Sequence, residues 1–208
     1  MILIGQYDSS FVRRVAIAMR IYDLPFEHRP WSVFGDGDRI QALNPLMRVP
    51  TLVLDDGDVV VDSNSIIDHI DSLVPPERRL LPQSGPERRQ ALRIAALATG
   101  LADKGVSLFY ELRLHEQPSV AWAERCRSQI SATLSALEAD RTSRPGVFWF
   151  GERIGHADIA VACALRHVGE AHPGLIRPGD HPSLAAHCGR MEALPVFREI
   201  AQPFAAPA

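Results

Sequence analysis

Two adjacent hydroxyl groups, those of Ser9 and Ser10, lie immediately before a predicted helix near the beginning of the chain. The helix is predicted over residues 11–22, and its apolar face comprises Val12, Val15, Ala16, Met19 and Tyr22. A hydroxyl at a helix N-terminus can stabilise an anion such as a thiolate, because a hydrogen bond and the helix dipole both favour negative charge. Both serines are also preferred N-cap residues, so in isolation they predict only the start of a helix.

A second polar pair, Asp62 and Ser63, precedes another predicted helix, in which Ile66, Ile67 and Ile70 recur at helical spacing. Ser63 is the expected N-cap of this helix. Exposed N–H groups and a serine hydroxyl can hold a carboxylate at such a helix start, and the neighbouring aspartate can bind an ammonium group. The pair therefore carries the charges needed to bind a zwitterion.

These two pairs belong to a mixed α/β pattern in the first part of the chain. Short strands are predicted at residues 2–4, 26–29, 51–54 and 59–61. With the two helices, the predicted order is β-α-β, an irregular segment, then β-β-α. From residue 87 onward the pattern is helical almost throughout, with helices predicted over 87–114, 119–141, 156–171, 183–194 and after Pro195.

The change of pattern marks a domain boundary. Residues 74–86 contain four prolines and one glycine, which disfavour regular structure and indicate a connector. We therefore predict an α/β domain over residues 1–76, a linker over 77–86 and an all-helical domain over 87–208.

The composition disfavours several classes of protein. A net charge of -3 without long runs of one sign predicts neither a nucleic-acid partner nor a membrane surface as partner. No apolar run reaches about 18 residues and no export signal is evident, so we expect a cytoplasmic protein. Three widely spaced cysteines predict no disulfide framework, and no Cys-x-x-Cys redox motif is present. The histidine spacings match no helical zinc pair, so no metal is expected.

Three segments together resemble the glutathione transferase superfamily. They are Tyr-Asp-Ser-Ser-Phe-Val-Arg at 7–13, Asn-Pro-Leu-Met-Arg-Val-Pro-Thr-Leu at 44–52 and Asp-Ser-Asn-Ser-Ile-Ile at 62–67. The chain is most similar to small bacterial transferases with a serine just before the first helix. The resemblance implies a thioredoxin-like domain that binds glutathione as a co-substrate, an all-α domain that helps bind a small electrophile, and a homodimer.

The resemblance also implies roles for individual residues. Ser9 would stabilise the glutathione thiolate, with Ser10 and Tyr7 as alternatives. The Val49–Pro50 bond would be cis, so that Val49 pairs its backbone with the cysteinyl part of glutathione like an added strand. The glutathione-binding set would comprise Ser9, Arg48, Val49, Pro50, Asp62 and Ser63.

In the helical part, Phe109, Tyr110 and Arg113 lie where the family places its electrophile pocket. Core packing explains the two aromatic residues equally well. Asp158 resembles a buried family aspartate that caps and orients a helix, while Gly155 replaces the usual serine or threonine cap.

The resemblance predicts an enzyme that conjugates the glutathione thiolate to small apolar electrophiles. The same thiolate would also serve a peroxidase, an isomerase or a dehalogenase. The alternative from another class is a non-catalytic interaction module, because this fold also serves as a binding scaffold. The presence of Ser9, Val49–Pro50 and Asp62–Ser63 together argues against that alternative.

Overall fold

The computed structural model describes residues 1–177 and 179–206, and its contacts divide the chain into two compact units. One unit comprises Met1–Gln83 together with the segment from Leu194 onward. The other unit is the continuous stretch Ser84–Ala193. The first unit is α/β and the second is helical, so the predicted fold class is confirmed.

The first unit is built on a four-stranded mixed sheet. Its elements are β1 (Ile2–Ile4), α1 (Ser10–Ile21), β2 (Glu27–Arg29), α2 (Gly37–Gln41), β3 (Thr51–Val53), β4 (Val59–Val61) and α3 (Ser63–Ser72), followed by a 3₁₀ turn at Pro76–Arg78. The strand order is β2-β1-β3-β4, in which β1 runs parallel to β2 and antiparallel to β3. The short helix α2 was not predicted, because Ile40 is its only buried residue and no apolar periodicity marks it.

Helix α1 is covered on nearly all sides, and two arginines are buried on it. All residues from Val12 to Met19 are buried, including Arg13 and Arg14. The Arg13 side chain donates to two backbone carbonyls, through Nε to Ile200 at 2.7 Å and through Nη2 to Phe197 at 2.8 Å. These bonds hold the last segment, including α8 (Pro195–Glu199), in the first unit, whereas the sequence assigned it to a helical domain over 87–208.

The described residues of the helical unit form the helices α4 (Gly85–Leu114), α5 (Val120–Thr142), α6 (His156–Ala171) and α7 (Pro182–Glu192). Helix α6 is buried along most of its length and packs closely against α4. Gly105 permits that approach, since an added Cβ there would lie 2.8 Å from Cγ2 of Val168. Over residues 1–177 and 179–206, no helix has a stretch long and apolar enough to span a membrane.

Asp158, in the first turn of α6, caps the start of that helix with its side chain, which confirms its predicted structural role. Its fully buried carboxylate accepts hydrogen bonds from the backbone N–H of Trp149 at 2.7 Å and of Gly155 at 2.9 Å. The carboxylate thereby forms the half of a capping box in which the N3 side chain accepts the N-cap N–H, the half that does not need a side chain on Gly155.

A buried histidine, His187, lies beside Asp158, with 3.9 Å between its Nε2 and a carboxylate oxygen. Burial raises the pKa of Asp158 from 3.8 to about 6, against the lowering effect of the hydrogen bonds from Trp149 and Gly155. Burial also lowers the pKa of His187 from 6.5 to about 4. Burial therefore shifts both groups toward their neutral forms, although Asp158 with a pKa of about 6 is still mostly ionised at pH 7.

These two shifts predict opposite effects of pH on stability. Between pH 4 and 6 the folded state holds a proton on Asp158 that the unfolded state loses, so this group makes the free energy of unfolding fall as pH rises. Over almost the same range the unfolded state holds a proton on His187 that the folded state lacks, so this group makes that free energy rise. Each shift corresponds to about 3 kcal/mol, and the two contributions nearly cancel.

If one of the two residues is replaced, the pH dependence of the unfolding free energy should show the contribution of the residue that remains. The unfolding free energy of His187→Gln minus that of the wild type is expected to fall by about 3 kcal/mol as the pH rises from 4 to 6.5. Any pH-independent cost of the substitution adds a constant to this difference. For Asp158→Asn, the same difference from the wild type should rise as the pH increases from 4 to 6. Urea unfolding at a series of pH values measures both, and parallel profiles for the three proteins would contradict the assignment.

Candidate active site

Ser9 is the N-cap of α1 and its hydroxyl is half-buried at the positive end of the helix. The hydroxyl oxygen accepts from the backbone N–H of Val12 over a long distance of 3.5 Å. Because this bond uses only a lone pair, the hydroxyl hydrogen can still be donated to an anion. The arrangement therefore provides both elements of thiolate stabilisation, a hydroxyl donor and a helix dipole.

The two alternatives to Ser9 are placed differently. Ser10 is the first residue of α1 and is only 4% exposed, and its hydroxyl has no hydrogen-bond partner within the described residues. Tyr7 is half-buried, and its ring stacks on that of His28 with 3.8 Å between centroids. Burial raises the pKa of the Tyr7 phenol, which keeps it protonated at neutral pH. Of the two serines, Ser9 is the more accessible.

The loop before β3 brings Val49 against the beginning of α1. The Val49–Pro50 peptide bond is cis. Gly5, at the end of β1, has a positive φ of 125°, and an added Cβ there would lie 2.8 Å from Cβ of Val49 and 2.5 Å from Cγ2 of Val12. Only glycine fits at this contact, and the absence of its side chain lets Val49 approach the helix start that Ser9 caps.

Hydrogen bonds from Asn44 hold this loop in shape. Its buried side-chain amide donates to the carbonyl of Arg48 at 2.9 Å and to the Thr51 hydroxyl at 3.1 Å, and its oxygen accepts from the N–H of Leu46. Neither the N–H nor the C=O of Val49 is hydrogen-bonded to another residue in the described part of the chain. A peptide ligand can therefore pair with both groups. The side chain of Arg48 is exposed on the same loop.

At the start of α3 the structure corrects one expectation. The N-cap is Asp62 rather than Ser63, because the Asp62 carboxylate accepts from the N–H of Asn64 at 2.8 Å. Asp62 has a positive φ of 70°, which is uncommon for a residue other than glycine and occurs more often at functional sites. Ser63 becomes the first residue of the helix and is buried, whereas Asp62 is exposed.

The sequence did not predict the role of Arg14, a buried residue of α1 that donates a hydrogen bond to Ser63. Arg14 is 3% exposed, and its Nη1 donates to the Ser63 hydroxyl at 3.2 Å and to the Asn64 side chain at 2.9 Å. Since the Ser63 oxygen accepts from a cation, its own hydrogen remains available and becomes a stronger donor. The cation also adds positive potential at the start of α3, where an anion is already favoured.

The structure thus brings most predicted residues together in one unit. Gly5 and Val12 connect Val49 with the Ser9 cap, and Arg14 on the same helix connects to Ser63. The signal that could have revealed Arg14 is its position within a helix whose neighbouring residues are apolar.

The residues predicted for the electrophile pocket lie on α4, in the helical unit. The half-buried ring of Phe109 meets that of His172 edge to face, at 6.1 Å between centroids. Tyr110 and Arg113 are exposed. Their role in binding an electrophile stays a prediction. In the described ranges, no three His, Cys, Asp or Glu side chains are grouped in a way that suits a metal ion.

Comparison with known proteins identifies the family. The glutathione S-transferase N-terminal domain matches residues 3–78, and the glutathione S-transferase C-terminal domain matches residues 120–190. An uncharacterized GST-like protein of Escherichia coli (strain K12), YibF, is 31% identical over 170 residues, which cover 80% of this chain and 81% of the relative.

Two further relatives cover nearly the whole chain. A probable maleylacetoacetate isomerase of Vibrio cholerae is 27% identical over 213 residues, covering 97% of this chain and 95% of the relative. A glutathione S-transferase of Methylobacterium radiotolerans, crystallised in complex with glutathione sulfonate, has 28% identity and a TM-score of 0.89, covering 100% of this chain and 98% of that one. The chain belongs to the glutathione S-transferase family.

Proposed function

We propose that this protein binds glutathione in its α/β unit and transfers the glutathione thiolate to a small apolar electrophile. The observation that carries the proposal is the convergence on α1 of the Ser9 cap, the unpaired backbone of Val49 and the Ser63 hydroxyl. The solved relative that binds glutathione sulfonate supports the same ligand class.

Each part of glutathione has a complementary group in this arrangement. The backbone of Val49 would pair with the cysteinyl residue, while Ser63 and the first N–H groups of α3 would hold the γ-glutamyl carboxylate. Asp62 would bind the γ-glutamyl ammonium group, and Arg48 would approach a carboxylate. These contacts would place the thiol near the Ser9 hydroxyl.

Ser9 would then stabilise the thiolate without a separate general base. The free thiol has a pKa of about 8.5, so only a few per cent is ionised at pH 7. Lowering that pKa by about two units requires roughly 2.7 kcal/mol, which one charge-assisted hydrogen bond and the helix dipole can supply. The sulfur lone pair forms the new S–C bond, and the leaving group departs with the electron pair of the bond that breaks.

Isomerisation is the second candidate reaction, and the Vibrio cholerae relative favours it. A thiolate that adds to a conjugated double bond converts it to a single bond, which rotates before the thiolate is expelled. The reaction regenerates glutathione and needs the same stabilisation of the anion by Ser9. It therefore differs from conjugation in its product rather than in the residues that activate the thiol.

Product analysis distinguishes these reactions. Mass spectrometry after incubation with glutathione and chlorodinitrobenzene should show a conjugate and released chloride if the protein is a transferase. Incubation with maleylacetoacetate should instead give an isomer of unchanged mass, with no net loss of glutathione, if it is an isomerase. Failure to bind glutathione in calorimetry would overturn both reactions and favour the non-catalytic interaction module.

We also propose that the protein is a cytoplasmic homodimer, as the family resemblance implies. Light scattering coupled to size-exclusion chromatography tests the oligomeric state, because a monomeric mass would be close to 22.9 kDa and a dimer twice that value.

A further inference from the structure

The helical unit contains a cavity formed by the last turn of α5, the turn that follows it, and α7. Its volume is about 390 Å³. The lining residues with polar side chains are Arg141, Thr142, Arg144, Ser183 and Arg190. Three of these are arginines, two carry hydroxyl groups and none is acidic.

Arg141 is a rigid cation at the base of this cavity, only 6% exposed. Its Nη1 donates to the carbonyl of Arg144 at 3.0 Å and its Nη2 to the carbonyl of Gly146 at 2.6 Å. Its Nε is buried and has no hydrogen-bond acceptor among residues 1–177 and 179–206. These carbonyls carry no formal charge, so they orient the guanidinium without neutralising it.

The other two arginines differ in how they are held. Arg144 is paired with Asp140 and lies over the ring of Phe150, with its Cζ 4.4 Å from the ring centroid. Arg190 is exposed and forms neither a hydrogen bond nor an ion pair with any residue that the structure describes. Arg190 is also close enough to influence Arg141, whose pKa is lowered first by burial and then by the charge of Arg190.

The nearby carboxylates are already occupied. Glu138 accepts from the N–H groups of Ser183 and Leu184, each at 2.9 Å, at the start of α7. Asp140 is paired with Arg144, and the Asp158 carboxylate accepts from two backbone N–H groups. These hydrogen bonds do not neutralise the carboxylates, but none of the three belongs to the cavity lining, whose charged side chains are all arginines. An anion bound there would therefore meet only positive side chains in the wall itself.

We propose that this cavity is an anion-binding site for a small molecule with at least two anionic oxygens, either phosphate or carboxylate groups. Guanidinium groups bind both through paired N–H donors in a planar fork. Arg190 and Arg144 would contact the anion directly, and Arg141 would supply fixed positive charge beside it. The volume lies within the range of about 300 to 1,000 Å³ that is usual for small-molecule sites.

Calorimetric titration at low, constant ionic strength tests the site, with pyrophosphate and malonate as the phosphate and carboxylate probes. We expect one saturable site for at least one probe, and Arg190→Gln should weaken it roughly tenfold or more because it removes a charged donor. The control is Arg125→Gln, which removes an equal charge from an exposed position on α5 outside the cavity lining and should leave affinity within about twofold.

Ser63→Ala separates this site from the glutathione site, because pyrophosphate or malonate bound at the start of α3 would be lost in that variant. Binding that survives Ser63→Ala and is weakened by Arg190→Gln supports the proposal. The proposal is overturned if neither probe binds saturably, if Arg190→Gln and Arg125→Gln weaken binding equally, or if Ser63→Ala abolishes it. The ratio of the two probe affinities then identifies the preferred oxyanion.

Discussion

Ser9→Ala is expected to keep glutathione affinity close to the wild-type value while raising the pKa of the bound thiol by about one to two units. The reason is that the hydroxyl would donate to the sulfur only in its anionic form, whereas the groups at Val49 and Ser63 would bind the rest of the peptide. At pH 7 the turnover number should fall roughly three- to twenty-fivefold, which is the loss of ionised thiol when its pKa rises from about 6.5 to about 7.5–8.5. The ultraviolet absorbance of the thiolate, followed against pH, measures the shift directly.

Two further variants distinguish the neighbouring hydroxyl groups. Ser10→Ala removes a buried hydroxyl without a partner in the described residues, and Tyr7→Phe removes the phenolic hydroxyl while keeping the ring that stacks on His28. Neither should change the thiol pKa as Ser9→Ala does. If Ser10→Ala or Tyr7→Phe abolishes the thiolate absorbance and Ser9→Ala does not, the assignment of the activating residue is wrong.

Arg14→Met should weaken glutathione binding by roughly ten- to a hundredfold, through its effect on Ser63. Arg14 is buried and donates to the Ser63 hydroxyl at 3.2 Å, so its loss removes both the polarisation of that hydroxyl and the positive charge behind it. The effect should be confined to ligands with a γ-glutamyl carboxylate. Calorimetry with glutathione and with the dipeptide Cys-Gly, which lacks that group, measures the difference.

The controls separate this role from a general contribution to folding. Asn64→Ala removes another acceptor of the Arg14 guanidinium and should have a much smaller effect on affinity. In a Ser63→Ala background, Arg14→Met should cost far less than in the wild type, because the two residues would act as one unit. Equal losses for glutathione and Cys-Gly, accompanied by a large fall in Tm, would show that Arg14 only supports the fold.

Elements with a clear hydrophobic periodicity could be predicted from the sequence. The strands of the sheet and the helices α1, α3, α4, α5, α6 and α7 were predicted within a few residues. For α1 and α3 the apolar face was the signal. The short helix α2 offered no such pattern. The helix after Pro195 was predicted, but its place in the first unit was not, since that place depends on hydrogen bonds from Arg13, 184 and 187 residues away in the chain.

The motifs of the candidate site were predicted from the sequence, but the residues that position them were not. Ser9, Val49 and Ser63 stand in recognisable segments, whereas Arg14 is polar within a buried helix and was interpreted as lying off its apolar face. The N-cap was placed one residue late because serine and aspartate are both good caps, and only the backbone shows which of them accepts the N–H of Asn64. Gly5 matters for the space beside it, which no local pattern reveals.

The bonds from Arg13 to the carbonyls of Phe197 and Ile200 have a consequence for how the protein is made. During synthesis, domains generally fold as they emerge, the N-terminal one first. Here the first unit would be complete only after residues 194–200 have emerged, and until then Arg13 would lack the carbonyls of Phe197 and Ile200. The helical unit is continuous in sequence, so all of its residues emerge before residues 194–200. It could therefore finish folding before the α/β unit, although the α/β unit begins first in the chain.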